Sequence, residues 1–252
     1  MAQKISEIKS ILDNTETEKL PKIVKEFEAD ERSGVQALIT RANKRYEALC
    51  AEKERTYAMQ EFERKYAEYE YVCGIDEAGR GPLAGPVVAG AVILPKDCDI
   101  LYINDSKQLS EKKREELYDI IKEKAVAYGI GIVSAERIDE INILQATYEA
   151  MRMAISKLGV VPGVLLNDAV KIPEVNIKQV PIIKGDAKSL SIAAASILAK
   201  VTRDRMMKEY ALIYPEYGFA EHKGYGAQGH IAAIKEFGPS PIHRRTFIKN
   251  FI

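Results

Sequence analysis

The chain has 252 residues, 46% of them hydrophobic, enough for a substantial core, and nowhere approaches the ~18 consecutive apolar residues of a membrane span. Its 37 basic and 37 acidic residues cancel, so net charge gives no sign of a polyanionic partner. Three scattered cysteines, Cys50, Cys73 and Cys98, exclude a disulfide framework or a structural zinc site, and the start, MAQKISEIKS, lacks the apolar segment of a signal peptide, which predicts a cytoplasmic protein.

Residues 1–70 are rich in Lys and Glu, poor in Gly and helical in spacing, with Ile5, Ile8 and Leu12, then Val35, Leu38, Ile39, Ala42, Tyr46 and Leu49 on one face. Breaks at Asn14 to Pro21 and at Ser33-Gly34 predict two short helices and a long one reaching about Tyr69, a helical extension with no chemistry of its own. From residue 71 the texture changes to apolar runs. YVCGI, PVVAGAVIL and AVAYGIGIV read as three strands, with a helix capped by Ser110 before the third. A helix carrying Leu144, Tyr148, Met151, Ile155 and Leu158 stops at Gly159; VLLND is a fourth strand and VPII a fifth. An Ala-rich helix, SLSIAAASILAKVTRDRMMKEY, and a last one around Gly229 to Phe237 follow. The order predicts an α/β domain over residues 71–252 with a mixed five-stranded sheet.

Asp76 and Glu77 end the first apolar run beside the Gly- and Pro-rich stretch GRGPLAGP. Adjacent strand residues face opposite ways, so this strand is expected to end or bulge there, and glycine backbone leaves N–H and C=O groups open to a ligand. Asp168 closes the fourth strand and Asp186 the approach to the Ala-rich helix, which gathers carboxylates at the rim where open α/β sheets bind ligands. Such a cluster needs a cation, and hard oxygen donors with few histidines suit Mg²⁺ or Mn²⁺. Two ions ~4 Å apart would serve phosphodiester hydrolysis. The plainer readings are a helix N-terminal charge for Asp186 and a turn cap for Asp168. A dinucleotide loop is disfavoured, since GRGPLAG is not G-x-G-x-x-G. From His222 onward Lys223, Lys235, Arg244, Arg245 and Lys249 outnumber the single acid Glu236, which fits either a polyanion-facing surface or a solvated tail.

The segments DEAGRGPLAGPVVAGAV, NDSKQLS, INILQATYEAM, LLNDAVKIP, KGDAKSLSIAAASILAKVTRDR, HKGYGAQGH and GPSPIHRRTF resemble bacterial ribonuclease HII over residues 71–252. The helical extension is similar to that of Gram-positive members, and DEAGRGP separates the chain from the sister ribonuclease HIII. The resemblance implies a ribonuclease H-like fold with a C-terminal helical extension, and Asp76, Glu77, Asp168 and Asp186 as catalytic, metal-binding acids. It implies that the backbone of Gly79, Arg80 and Gly81 reads a ribose 2′-hydroxyl, the group that separates RNA from DNA, and that Tyr225 packs at the adjoining deoxynucleotide. Lys107, Lys188 and Arg203 are candidate phosphate contacts, with a counter-charge role as the alternative.

The expected protein is therefore a monomeric Mg²⁺- or Mn²⁺-dependent endoribonuclease acting on RNA/DNA hybrids and on duplex DNA containing ribonucleotides. It would cut 5′ to an embedded ribonucleotide and leave 3′-hydroxyl and 5′-phosphate ends. The alternative is a non-catalytic nucleic-acid-binding protein that docks partners through its helical arm. Two positions depart from the family pattern: Asn167, where an aliphatic residue is usual and a buried unpaired amide would cost ~1–3 kcal/mol, and Ala227, where Thr is common.

Overall fold

A computed structural model describes residues 3–250. The chain divides into two compact units at the step from Ala58 to Met59. In the first, α1 (Ile5–Asn14), α2 (Leu20–Lys25) and α3 (Ser33–Met59) gather Ile8, Leu12, Leu20, Val24, Val35 and Ile39 into a small core of their own. The long helix stops at Met59 rather than near Tyr69, because Gln60 leaves helical geometry (φ −90°, ψ 11°) and its side-chain amide donates to the Cys98 carbonyl at 2.9 Å. A short helix, α4 (Glu61–Lys65), follows.

The second unit is built on β1 (Val72–Ala78), β2 (Val87–Ile93), β3 (Ala127–Val133), β4 (Val164–Asp168) and β5 (Lys178–Ile182) in the order β3-β2-β1-β4-β5. The first three strands are antiparallel, and β4 and β5 run parallel to β1. The fifth strand begins two residues before VPII, and its Pro181 is tolerated because β5 is an edge strand. Between strands lie α5 (Glu111–Lys124), capped as expected by Ser110, and α6 (Ala135–Ser156). α6 starts well before Leu144, at a Ser134 cap, and breaks at Asn142 (φ 66°), whose Oδ1 accepts from the Leu144 and Gln145 N–H groups and restarts the helix. α7 (Leu190–Ile213), α8 (Phe219–His222), α9 (Gln228–Phe237) and α10 (Arg245–Ile248) complete the chain. No described helix is long and apolar enough to cross a membrane.

Strand alternation sorts the core. Cys73 and Ile75 face α6 and pack with Ala150, Met151 and Ala154, whereas Val92 packs with Ala194, Ile197 and Leu198 of α7. The small residues of α7 let it lie against the sheet: a Cβ on Gly90 would come within 2.4 Å of the Ala195 carbonyl oxygen. The N-terminus of α7 is held by Glu63 of α4, whose Oε1 accepts from Ser189 Oγ (2.6 Å), Ser191 N (2.9 Å) and Ser191 Oγ (2.6 Å). A carboxylate there answers the unsatisfied N–H groups and the positive end of the helix dipole.

Candidate active site

β1 neither ends nor bulges at Asp76-Glu77, contrary to the expectation from alternation. It continues to Ala78 in unbroken register with β2, pairing Asp76 with Gly90, Glu77 with Ala89 and Ala78 with Val88. What ends is the other side of the strand, where pairing with β4 stops at Ile75 and Asn167. Asp76 and Asp168 thus occupy the next rung of neighbouring parallel strands, beyond the last paired residues. Because Gly90 has no side chain, Asp76 lies against α7, where Ser196 donates a hydrogen bond to it and is in turn 3.0 Å from Ser106 Oγ.

Burial holds the Asp76 carboxyl well above the usual carboxylate range, and the charges of Glu77 and Asp168 push it further. Glu77 is also raised by burial; the Arg80 guanidinium at 3.3 Å opposes this, and Asp168 adds to it. Asp168 accepts the Gly185 N–H at 2.7 Å, which ties the end of β4 to the turn carrying Asp186. Asp186, 8% exposed, is raised by burial, Asp105 and Asp168, against a Lys107 ammonium at 3.8 Å. Burial alone would lower Lys107, but Asp105, Asp186, Asp76 and Asp168 hold it above its ordinary value. Asp105 is a site residue that the sequence reading does not single out; its only signal is the segment NDSKQ between two recognisable elements.

The four acids are thus electrostatically one cluster, yet among the described residues no three of them close around a common point. Unscreened carboxylates repel, and here they are held apart by separate partners, Arg80 for Glu77, Lys107 for Asp186 and a backbone N–H for Asp168. The donor set fits a hard divalent cation: it is all oxygen, Asp76 and Asp186 are buried, and Asp76, Glu77 and Asp186 are raised first by burial and then by neighbouring carboxylates, which such an ion would offset.

A groove beside the cluster is lined by Glu77, Gly79, Arg80, Gly81, Lys107, Lys200 and Tyr225. Tyr225 is 46% exposed, and its ring edge lies 4.0 Å from where a Gly81 Cβ would stand, so the two predicted reading elements adjoin. Lys188 is exposed two residues past Asp186. Arg203 is not a phosphate contact: it is fully buried, and its guanidinium donates to the carbonyls of Pro86 (3.0 Å), Lys223 (2.9 Å) and Ala84 (3.0 Å). Arg244, counted in the basic excess of the C-terminal stretch, is likewise fully buried. His222 closes a loop, with Nε2 on the Tyr217 carbonyl and Nδ1 accepting from Gly224 N–H.

The two departures have local explanations. Asn167 is fully buried; its Nδ2 donates to the Val170 carbonyl (3.1 Å) and to Gln179 Oε1 (2.9 Å), while its Oδ1 has no partner. The amide is therefore half satisfied and pins the turn after β4. Ala227 is the N-cap residue of α9 with no side chain to cap it, so the missing Thr is first a missing helix cap.

The family model described as Ribonuclease HII matches residues 73–250, and the one described as Ribonuclease HII N-terminal domain matches residues 4–67. A ribonuclease HII of Lachnoclostridium phytofermentans is 69% identical over 224 residues, covering 89% of this chain and 88% of its own. One from Clostridioides difficile is 52% identical over 250 residues, covering 98% of each. Among solved structures, the ribonuclease H2 from Pyrococcus horikoshii superposes with a TM-score of 0.61 at 30% identity, over 72% of this chain and 96% of that one.

Proposed function

This chain belongs to the ribonuclease HII family, as an endonuclease of the RNA strand of RNA/DNA hybrids, and from that premise we propose that it also incises duplex DNA 5′ to a single embedded ribonucleotide. The products would carry 3′-hydroxyl and 5′-phosphate ends, and Asp76, Glu77, Asp168 and Asp186 would hold two Mg²⁺ or Mn²⁺ ions. The observation that carries this reading is Asp76, a buried carboxylate whose charge is opposed by burial, Glu77 and Asp168 and so calls for a cation. When bound, the ions would supply Lewis acidity that activates water and offsets charge on the leaving oxygen.

The chain's own residues supply the rest. Ser196 fixes Asp76 from α7, and Asp168 is fixed by Gly185 N–H, so both carboxylates are oriented before substrate arrives. Lys107 lines the groove 3.8 Å from Asp186, where it balances charge in the free protein and would face a phosphate in the complex. Lys188, exposed two residues past Asp186, would contact a flanking phosphate. The backbone of Gly79, Arg80 and Gly81 would read the 2′-hydroxyl, and Tyr225 would pack against the neighbouring sugar on the deoxy side.

The test is a labelled DNA duplex with one ribonucleotide, incubated with Mg²⁺, Mn²⁺ or EDTA and mapped at single-nucleotide resolution. A metal-dependent cut on the 5′ side of the ribonucleotide is expected. Cleavage of long hybrids only would remove the junction-reading role of residues 79–81 and 225, and binding without cleavage in either metal would overturn the catalytic assignment of the acids.

A further inference from the structure

Two arginines lie fully buried beneath the loop from Gly79 to Pro86, and among the described residues neither forms an ion pair with a carboxylate. Their donors go instead to backbone carbonyls. Arg244 donates from Nε to Gly85 (3.0 Å), from Nη1 to Arg80 (2.8 Å), and from Nη2 to Gly79 (2.5 Å) and Pro86 (3.2 Å). Arg203 shares the Pro86 carbonyl, takes that of Ala84, and reaches across to Lys223 in the loop that carries Tyr225, whose ring centroid is 5.9 Å from its guanidinium carbon. Leu83 N–H to the Gly224 carbonyl (2.8 Å) and Arg244 N–H to the Leu83 carbonyl (2.9 Å) stitch the same strips together.

Peptide planarity turns these bonds into an orientation. In a trans peptide the C=O and the following N–H point in opposite directions, and the chain has no cis bonds among its described residues. Holding the Gly79 and Arg80 carbonyls down on the Arg244 guanidinium therefore turns the N–H groups of Arg80 and Gly81 away from the interior, towards the groove. Among the described residues neither N–H has an acceptor. A cation on the carbonyl side also polarises each peptide and strengthens its N–H as a donor. Gly79, at φ +94°, lies so close to Arg203 that a Cβ there would be 2.2 Å from Nε, so the loop rests directly on both side chains.

The arrangement is costly as packing alone. Burial, and then the neighbouring charge of Arg203, push Arg244 down to about 9, and burial lowers Arg203 as well. Two adjacent buried cations would be replaced at little loss by apolar side chains if only volume were needed.

We infer that Arg203 and Arg244 are positioning residues for ribonucleotide recognition: a buried two-arginine clamp that aims the N–H groups of Arg80 and Gly81 at the 2′-hydroxyl and fixes Tyr225 at the required distance. This rests on the junction-reading role proposed above. It predicts a specific defect, because a duplex with one ribonucleotide offers a single productive register, whereas a continuous hybrid offers many. A loosened loop therefore loses more on the first substrate than on the second.

The experiment compares wild type with Arg244→Lys and Arg203→Lys on both substrates in Mg²⁺. Lysine keeps the charge but cannot spread its donors over several carbonyls. The readout is the ratio of kcat/KM on the single-ribonucleotide duplex to that on the hybrid, measured on one preparation so that the folded fraction cancels, together with the cut position. Each variant should lower that ratio by about tenfold or more, a part of the roughly 10⁴- to 10⁵-fold by which a hydroxyl-reading site rejects an analogue without the hydroxyl, with minor cuts appearing one nucleotide from the main site. A wild-type ratio and cut position in both variants would overturn the clamp, and so would failure of both to fold, which would assign the pair to the fold alone. Wild-type enzyme that ignores the single ribonucleotide would instead sink the functional reading on which the clamp rests.

Discussion

The acid cluster and the arginine clamp face the same physical problem and solve it in opposite ways. Both hold like charges close together next to the groove. Each of the six guanidinium nitrogens donates to a backbone carbonyl, seven hydrogen bonds in all. The carboxylates of Asp76, Glu77 and Asp186 are left raised above their ordinary range, with Ser196, Arg80 and Lys107 as partial compensation. Charge meant to stay put is neutralised by the chain, and charge meant for an exchangeable ligand is left in deficit.

The sharpest way to break that comparison is Asp76→Asn. It should lower single-turnover cleavage by about 10³-fold or more, the cost of removing a group that acts on transition-state charge. In the metal-free protein it should leave the fold intact and, at pH above the folded Asp76 value, raise the melting temperature, since there it deletes a repelled buried charge. The pH dependence follows from the same shift. The folded Asp76 keeps its proton at pH values where the unfolded chain, with a pKa near ~3.9, has lost it. Its contribution to stability is full below the unfolded value and is lost as pH rises through the folded one. Metal-free wild type should therefore lose stability over that rise, with a flatter profile in Asp76→Asn by chemical denaturation. Equal slopes would mean that Asp76 is not the strained member of the cluster.

Adding the missing cation should come next in size. Mg²⁺ at about 100 times its dissociation constant should stabilise the native protein by ~2.7 kcal/mol, seen as a raised melting temperature. The effect should shrink in Asp76→Asn and persist in Arg244→Lys, because only the acids are left in deficit. The smallest effect concerns the clamp side: Ala227→Thr should add about 1 kcal/mol by capping α9 and leave the cut position unchanged, as read by denaturant unfolding and the mapped cleavage assay.

The sequence exposed the two regions unequally. Asp76, Glu77, Asp168 and Asp186 stood out because carboxylates at the ends of apolar strands contradict their surroundings. Arg203 does not, since an arginine in the run KVTRDRMMKEY looks like any solvated helical cation, a candidate phosphate contact or counter-charge but not a buried one. Nothing in a one-dimensional pattern says that a guanidinium will find carbonyls more than a hundred residues away. The continuation of β1 past Asp76 was hidden for a related reason: the room for it comes from Gly90, on the partner strand. By contrast the five strands, the Ser110 cap and the Gly-rich stretch after β1 are legible because each is encoded locally.

Glu63 bears on how this protein divides into inheritable pieces. The N-terminal family domain ends at residue 67 and the catalytic one begins at residue 73, but the carboxylate that seats the start of α7 lies on the N-terminal side of that line. Six residues further along, the same helix carries Ser196, the partner of Asp76. A gene cut between the two family domains would therefore separate the nuclease from the anchor of its own central helix, whereas a cut at Ala58 and Met59 would pass the anchor on with it.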